Sequence, residues 1–241
     1  MHVIWSAAFS NNGLFAAADV NNNFRLWNTS NGALVRNWTN HTDLIYSLAF
    51  DSKNMLASGS EDGTVKVWNT SSGALILDIA TGHAVKCVAF GSNGVLASAS
   101  YADTNIQIHN STTGALITNL TALGGVRVVA FDGTHLFASG GGGNRIRLWN
   151  TTTWTATRNL TGYTGHVNSI SFDKASLVAS GNDGANIYLW NKFTGALVRI
   201  LKGHTNEVYS VAFDNNGNLA SGSVDTTIKI WRHNSNCNSS R

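Results

Sequence analysis

Proline is absent from the 241 residues, so the turns are left to Gly, Asn, Asp, Ser and Thr. Cysteine is scarce: Cys87 lies in an apolar run and Cys237 in a polar tail. Two such residues exclude a disulfide framework, and neither has the neighbours of a zinc site. Charge is sparse too, at 12% of residues. The balance of 16 basic against 13 acidic residues is too even and too scattered to mark a nucleic-acid face. No apolar run approaches the roughly 18 residues a membrane span needs. Met1-His2-Val3-Ile4-Trp5 has no basic segment leading into an apolar one, which predicts a cytoplasmic or nuclear protein without a leader. Long runs with apolar residues at i, i+3, i+4 and i+7 are missing, so no helix is predicted.

What remains is a chain of short alternating apolar runs, such as "VYSVAF", "NLASGS" and "TIKIW", separated by Asn, Gly, Asp and Ser. With 43% hydrophobic residues there is enough to build a core. The pattern reads as many short strands.

The runs recur. "HTDLIYSLAFDSKNMLASGSEDGTVKVW" (41–68) and "HTNEVYSVAFDNNGNLASGSVDTTIKIW" (204–231) align without a gap. A closing aromatic falls at Trp27, Trp68, His109, Trp149, Trp190 and Trp231, spaced 41, 41, 40, 41 and 41 residues. An apolar residue stands three before each, at Phe24, Val65, Ile106, Ile146, Ile187 and Ile228. Four strand signals per period of about 40–45 residues predict an all-β fold, a β-propeller. In the second copy strands a, b, c and d are placed near Ile45–Phe50, Met55–Ser60, Thr64–Trp68 and Ala74–Ile79.

These features resemble the WD-repeat β-propeller family over residues 2–232. The carrying motifs are Gly82-His83, Gly165-His166 and Gly203-His204, the "LASGS" strands Leu56–Ser60 and Leu219–Ser223, and the closing Trp. Where the family has Trp-Asp this chain has Trp-Asn, at Trp27-Asn28, Trp68-Asn69, Trp149-Asn150 and Trp190-Asn191. Asn serves the same turn, since both side chains fold back onto nearby backbone.

The resemblance implies six blades of four-stranded antiparallel sheets around a channel. Only twenty-three strands are visible, so the last blade is expected to have three. Residues 1–232 form the propeller and 233–241 a polar tail. Two readings of the count stay open: closure with a three-stranded last blade, or a longer protein with a seventh blade or further domains.

His204, Ser221 and Asp225 are the residue types of a hydrolase triad. Their recurrence as His41, Ser58 and Asp62 argues against a privileged catalytic copy. Leu56 and Leu219 also stand where a G-x-S-x-G nucleophile turn needs glycine. The resemblance implies a structural chain instead: Trp231 to Ser221 to His204 to Asp225, and Trp68 to Ser58 to His41 to Asp62. The fifth copy has His166, Ser180, Asp183 and Trp190, with Asp one place early. The third has His83, Ser98 and Asp103 but His109 for Trp; the fourth keeps Ser139 and Trp149 but has Ala122 and Gly143; the first has Ala17 and Asn21.

Other signals carry less. Nine Asn-x-Ser/Thr sequons occur, four of them (Asn28, Asn69, Asn110 and Asn150) in one repeated turn. Gly140–Asn144 lacks the Lys-Ser/Thr of a phosphate loop and reads as a turn. No metal-ligand set and no cofactor motif is found.

The function implied is a non-catalytic scaffold that docks partner proteins. A nucleic-acid or lipid-head-group binder is the alternative, and an enzyme using the channel a second. In the family, partners dock at the end carrying the d–a and b–c loops. The residue four before the strand-a Phe faces that end. Here these residues are Trp5, Tyr46, Lys86, Arg127, Asn168 and Tyr209, which vary while their surroundings repeat. They predict a short acidic or phosphorylated segment with an apolar anchor.

Overall fold

A computed structural model describes residues 4–163 and 165–232. The predicted tail, 233–241, lies outside the described residues. The chain divides into two compact units, Met1–Gly133 and Thr134–Arg241.

The first unit holds three four-stranded sheets. They are β1 (Ile4–Phe9), β2 (Leu14–Asp19), β3 (Phe24–Asn28) and β4 (Leu34–Trp38); β5 (Ile45–Phe50), β6 (Met55–Ser60), β7 (Thr64–Asn69) and β8 (Leu75–Ala80); and β9 (Cys87–Gly91), β10 (Val95–Ala99), β11 (Asn105–Asn110) and β12 (Leu116–Thr121). It also carries β13 (Val126–Phe131), the first strand of the fourth sheet. The second unit holds β14 (Leu136–Gly141), β15 (Ile146–Asn150) and β16 (Ala156–Leu160); then β17 (Val167–Phe172), β18 (Leu177–Asn182), β19 (Ile187–Asn191) and β20 (Leu197–Leu201); then β21 (Val208–Phe213), β22 (Leu219–Ser223) and β23 (Ile228–Trp231).

The sheets are antiparallel meanders with strands in chain order. Five have four strands and the last has three, as in six propeller blades. Among the described residues there is no helix. The expected second-copy strands match β5 to β8 within a residue or so.

Burial follows strand position. The second strand of a blade is buried on both faces: β6 is buried from Leu56 to Ser60. Its counterpart β8 at the outer edge alternates between exposed and half-buried. In the first unit, Ala16, Ala18, Phe24, Leu26 and Trp38 of the first blade pack on Ile45, Leu48, Leu56 and Trp68 of the second. The second blade's Val65 and Val67 pack on Val85, Val88 and Leu96 of the third. In the second unit, Ala179, Ile187 and Leu189 pack on Val208, Val211 and Leu219. The second strands meet a neighbouring blade on both faces, which is why alternation is lost in a run such as "LASGS" of β6, whereas in "SVAF" of β21 Ser210 and Ala212 are exposed and Val211 is buried.

The Trp-Asn turn works as expected. Asn69 Oδ1 accepts from the N–H groups of Ser71 (3.0 Å) and Ser72 (2.9 Å). Asn110, Asn150 and Asn191 repeat the pattern. Four residues after that Asn the backbone is left-handed, at Gly32, Gly73, Gly114 and Gly195. The fourth copy puts Trp154 there at φ 55°, still closing the same Trp154 N–H to Asn150 carbonyl bond at 2.8 Å.

Candidate functional site

The repeated triad is a structural network. Trp68 Nε1 donates to Ser58 Oγ at 3.0 Å, Ser58 Oγ meets His41 Nε2 at 2.7 Å, and His41 Nδ1 meets Asp62 at 2.7 Å. The last blade repeats it: Trp231 to Ser221 at 2.8 Å, Ser221 to His204 at 2.7 Å, His204 to Asp225 at 2.7 Å. Ser58 and Ser221 are both buried. Each hydroxyl is held between an indole and an imidazole, with no open approach for a substrate carbonyl.

Electrostatics fit the geometry. Burial holds the His41 imidazole below its ordinary pKa, against the pull of Asp62. Burial would raise the Asp62 carboxyl, but hydrogen bonds from Thr64, His41 and the Thr42 N–H outweigh it and hold it low. Asp225 is lowered in the same way, by Thr227, His204 and the Thr205 N–H.

The other copies are partial. In the fifth, His166 Nδ1 reaches Asp183 at 2.6 Å, but His166 stands six residues before Phe172, where His41 and His204 stand nine before Phe50 and Phe213, and its ring is partly exposed. Ser180 Oγ and Trp190 Nε1 are left buried without a partner among the described residues. Aromatic packing takes over, with Tyr163 edge-on to Trp190 at 5.7 Å and Tyr188 stacked on it at 5.7 Å. In the third copy His83 lies 3.7 Å from Asp103 and is half-exposed, and the His109 ring nitrogen Nδ1 has no partner among the described residues. The fourth keeps only Trp149 Nε1 to Ser139 Oγ, 2.9 Å.

Four of the six predicted docking residues lie in the first unit, on β1, β5, the loop before β9, and β13. Trp5, half exposed, meets Tyr46 edge-on at 5.7 Å. Lys86 Nζ sits 3.4 Å above the Tyr46 ring. The Arg127 guanidinium lies 4.8 Å from the Tyr101 ring. In the second unit Asn168 Nδ2 donates to Asp183 Oδ1 at 3.1 Å, and Tyr209 is 59% exposed.

Sequence reading missed Glu61 of the b–c loop. Its carboxylate pairs with Lys86 at 2.7 Å, and the hydrogen bond from that ammonium, aided by Tyr46, lowers its pKa. It also missed a stitch between blades. Ser6 Oγ accepts the Leu48 N–H (2.9 Å), Ser47 Oγ the Val88 N–H (3.0 Å), Cys87 Sγ the Val129 N–H (3.4 Å), and Ser169 Oγ the Val211 N–H (3.1 Å). The signal was available: each stands three before the strand-a Phe. Cys87 thus takes a serine's place, and burial pushes its thiol pKa up.

A comparison with curated proteins gave no match. Among solved structures, the crystal structure of the computationally designed Ika8 protein is similar, with a TM-score of 0.81 and 28% identity. The match covers 95% of this chain and 70% of the designed one. The family model described as "WD domain, G-beta repeat" matches residues 32–69, 76–110, 154–191 and 195–232. Those segments make up more than half of the chain and contain both complete networks, His41, Ser58, Asp62 and Trp68 and His204, Ser221, Asp225 and Trp231; the chain belongs to the WD-domain, G-beta repeat family.

Proposed function

We propose that this chain is a non-catalytic docking module that takes a short partner segment on the row Trp5, Tyr46, Lys86 and Arg127. WD-repeat propellers are generally protein-interaction scaffolds, which supports the class. The observation that carries the finer reading is the aromatic pair, an exposed Trp5 against a half-buried Tyr46, with a cation directly on the tyrosine ring. Large rigid aromatics bury area at little entropic cost, so they anchor interfaces. Lys86 and Arg127 beside them favour a carboxylate or phosphate on the same segment. Glu61 holds Lys86 until a stronger anion takes its place. Asn168 and Tyr209 hold the same strand-a position in the second unit and extend the candidate set.

The test is an array of acidic, phosphorylated and neutral peptides, each with or without one aromatic or aliphatic residue. Acidic or phosphorylated peptides with the apolar anchor are expected to bind. Trp5→Ala and Arg127→Glu are each expected to weaken them while leaving the melting temperature nearly unchanged. Equal binding by the double variant would remove this face from consideration.

A further inference from the structure

In the third blade the bridge between serine and aspartate is broken. Thr81 stands nine residues before Phe90, the place that His41 takes before Phe50. Its hydroxyl is shared between the backbone carbonyls of Gly63 and His83, each at 2.9 Å. His109 stands in the place of Trp68. Ser98 therefore has neither the indole nor the imidazole that hold Ser58. Asp103 keeps the place of Asp62: it accepts the Asn105 N–H at 3.1 Å, as Asp62 accepts that of Thr64 at 2.9 Å.

A pocket of about 20 Å³ is lined by Ser98 and Asp103, together with Thr81, Asn105, Gln107 and the half-exposed His83. That is room for one water-sized group. Gln107 stands opposite Ser98 on the neighbouring strand, so the two side chains lie on one face of the sheet. Gln107 Nε2 donates to the Thr81 carbonyl at 3.2 Å, and a carbonyl only accepts, which fixes the orientation of the amide. The amide's Oε1 is buried and has no hydrogen-bond partner among the described residues. A buried acceptor in that state calls for a donor. The Asp103 carboxylate also only accepts, and His83 Nε2, 3.7 Å away, is beyond hydrogen-bond reach of it.

We propose that this pocket binds a primary ammonium group, either the free ion or the tip of an alkylamine such as a lysine side chain. The ammonium donates to Gln107 Oε1 and Ser98 Oγ, and the Asp103 carboxylate supplies the opposite charge. An ammonium nitrogen is one heavy atom that carries only donors, and hydrogen bonds from a charged donor are the strong ones. The small volume excludes a guanidinium or a quaternary ammonium, and the acceptors exclude an anion. None of the proposed docking residues lines the pocket, so the site does not rest on that reading.

The probes are ammonium and methylammonium chlorides, titrated into the full chain while tetramethylammonium chloride holds the ionic strength constant. Tetramethylammonium has the charge but no N–H to donate. The side-chain amide signals of Gln107 and Asn105 in heteronuclear NMR spectra are expected to shift saturably with ammonium. Gln107→Met keeps the shape and removes the acceptor, and Asp103→Asn removes the charge. Each is expected to weaken binding, read at Asn105, by about tenfold or more, the worth of one hydrogen bond to a charged group. Thr81→His, which puts an imidazole in the pocket, is expected to abolish it. Saturation by methylammonium as well identifies an alkylamine as the ligand, and saturation by ammonium alone identifies the free ion. No saturable shift, equal shifts with sodium in place of ammonium, or undiminished binding by Gln107→Met overturns the proposal.

Discussion

At the residue scale, the repeats form an internal experiment. Trp68 and Trp190 hold the same place and are both fully buried, but only Trp68 has a hydrogen bond to give up. Trp68→Phe is therefore expected to cost about 1 kcal/mol more than Trp190→Phe, as read from chemical denaturation. Asp62→Ala orphans the buried His41 ring and is expected to cost about 1–3 kcal/mol. Asp225→Ala should act in the same direction. The pH dependence follows from the signs. The His41 imidazole and Asp62 carboxyl are both lowered in the fold, so the unfolded chain binds more protons than the folded one. Both contributions are present at neutral pH. That of His41 fades as pH falls below about 6.5, and that of Asp62 fades below about 4. The melting temperature is expected to drop on acidification, and Asp62→Asn should flatten the lower part of that drop. An unchanged acid limb in Asp62→Asn would count against the network.

At the element scale, the second strands are pressed between neighbours. A Cβ on Gly59 would stand 2.6 Å from Val85 Cγ1, and one on Gly181 would stand 2.7 Å from Val208 Cγ1. Both distances are below any ordinary contact, so glycine here serves close approach between blades. The same place in β22 is Gly222, where a Cβ would meet nothing within 4 Å. Gly59→Ala is expected to destabilise by about 1–3 kcal/mol through overpacking. Gly222→Ala is expected to be tolerated, with thermal unfolding of both variants as the check. A large loss in Gly222→Ala would mean that the open face of the last blade is covered.

At the scale of the whole molecule, the proposed docking rests on residues the repeat leaves free to vary. The first unit collects two aromatics, a lysine and an arginine from four successive blades' first strands and their approaches. Under the proposed docking, Glu61, paired with Lys86 at 2.7 Å, competes with the peptide's anion for it. Glu61→Gln is expected to strengthen capture of an acidic or phosphorylated peptide by roughly fivefold, the worth of one exposed ion pair. Trp5→Ala should weaken it by about thirtyfold if the indole is the anchor. Isothermal titration with the tightest array peptide measures both. A Glu61→Gln variant with weaker binding would show that the carboxylate helps hold the site rather than blocking it.

The sequence by itself determined the period, the strands and the fold class, because spacing near 41 residues with four apolar runs is a one-dimensional property. It showed that His41, Ser58, Asp62 and Trp68 recur at the same offsets as His204, Ser221, Asp225 and Trp231, and the family resemblance implied how they are bonded. Only tertiary structure decided which partial networks close. In the fifth copy Tyr163, not His166, stands nine residues before Phe172 and packs on Trp190, and Ser180 and Trp190 have no hydrogen-bond partner among the described residues. Tertiary structure alone brought Glu61 to Lys86, 25 residues apart on adjacent blades. The Ser6, Ser47 and Cys87 stitches likewise bridge residues 41 or 42 apart. The reason is that strand signals are local, whereas the facing of one blade on the next depends on side-chain reach across a contact that no window of sequence contains.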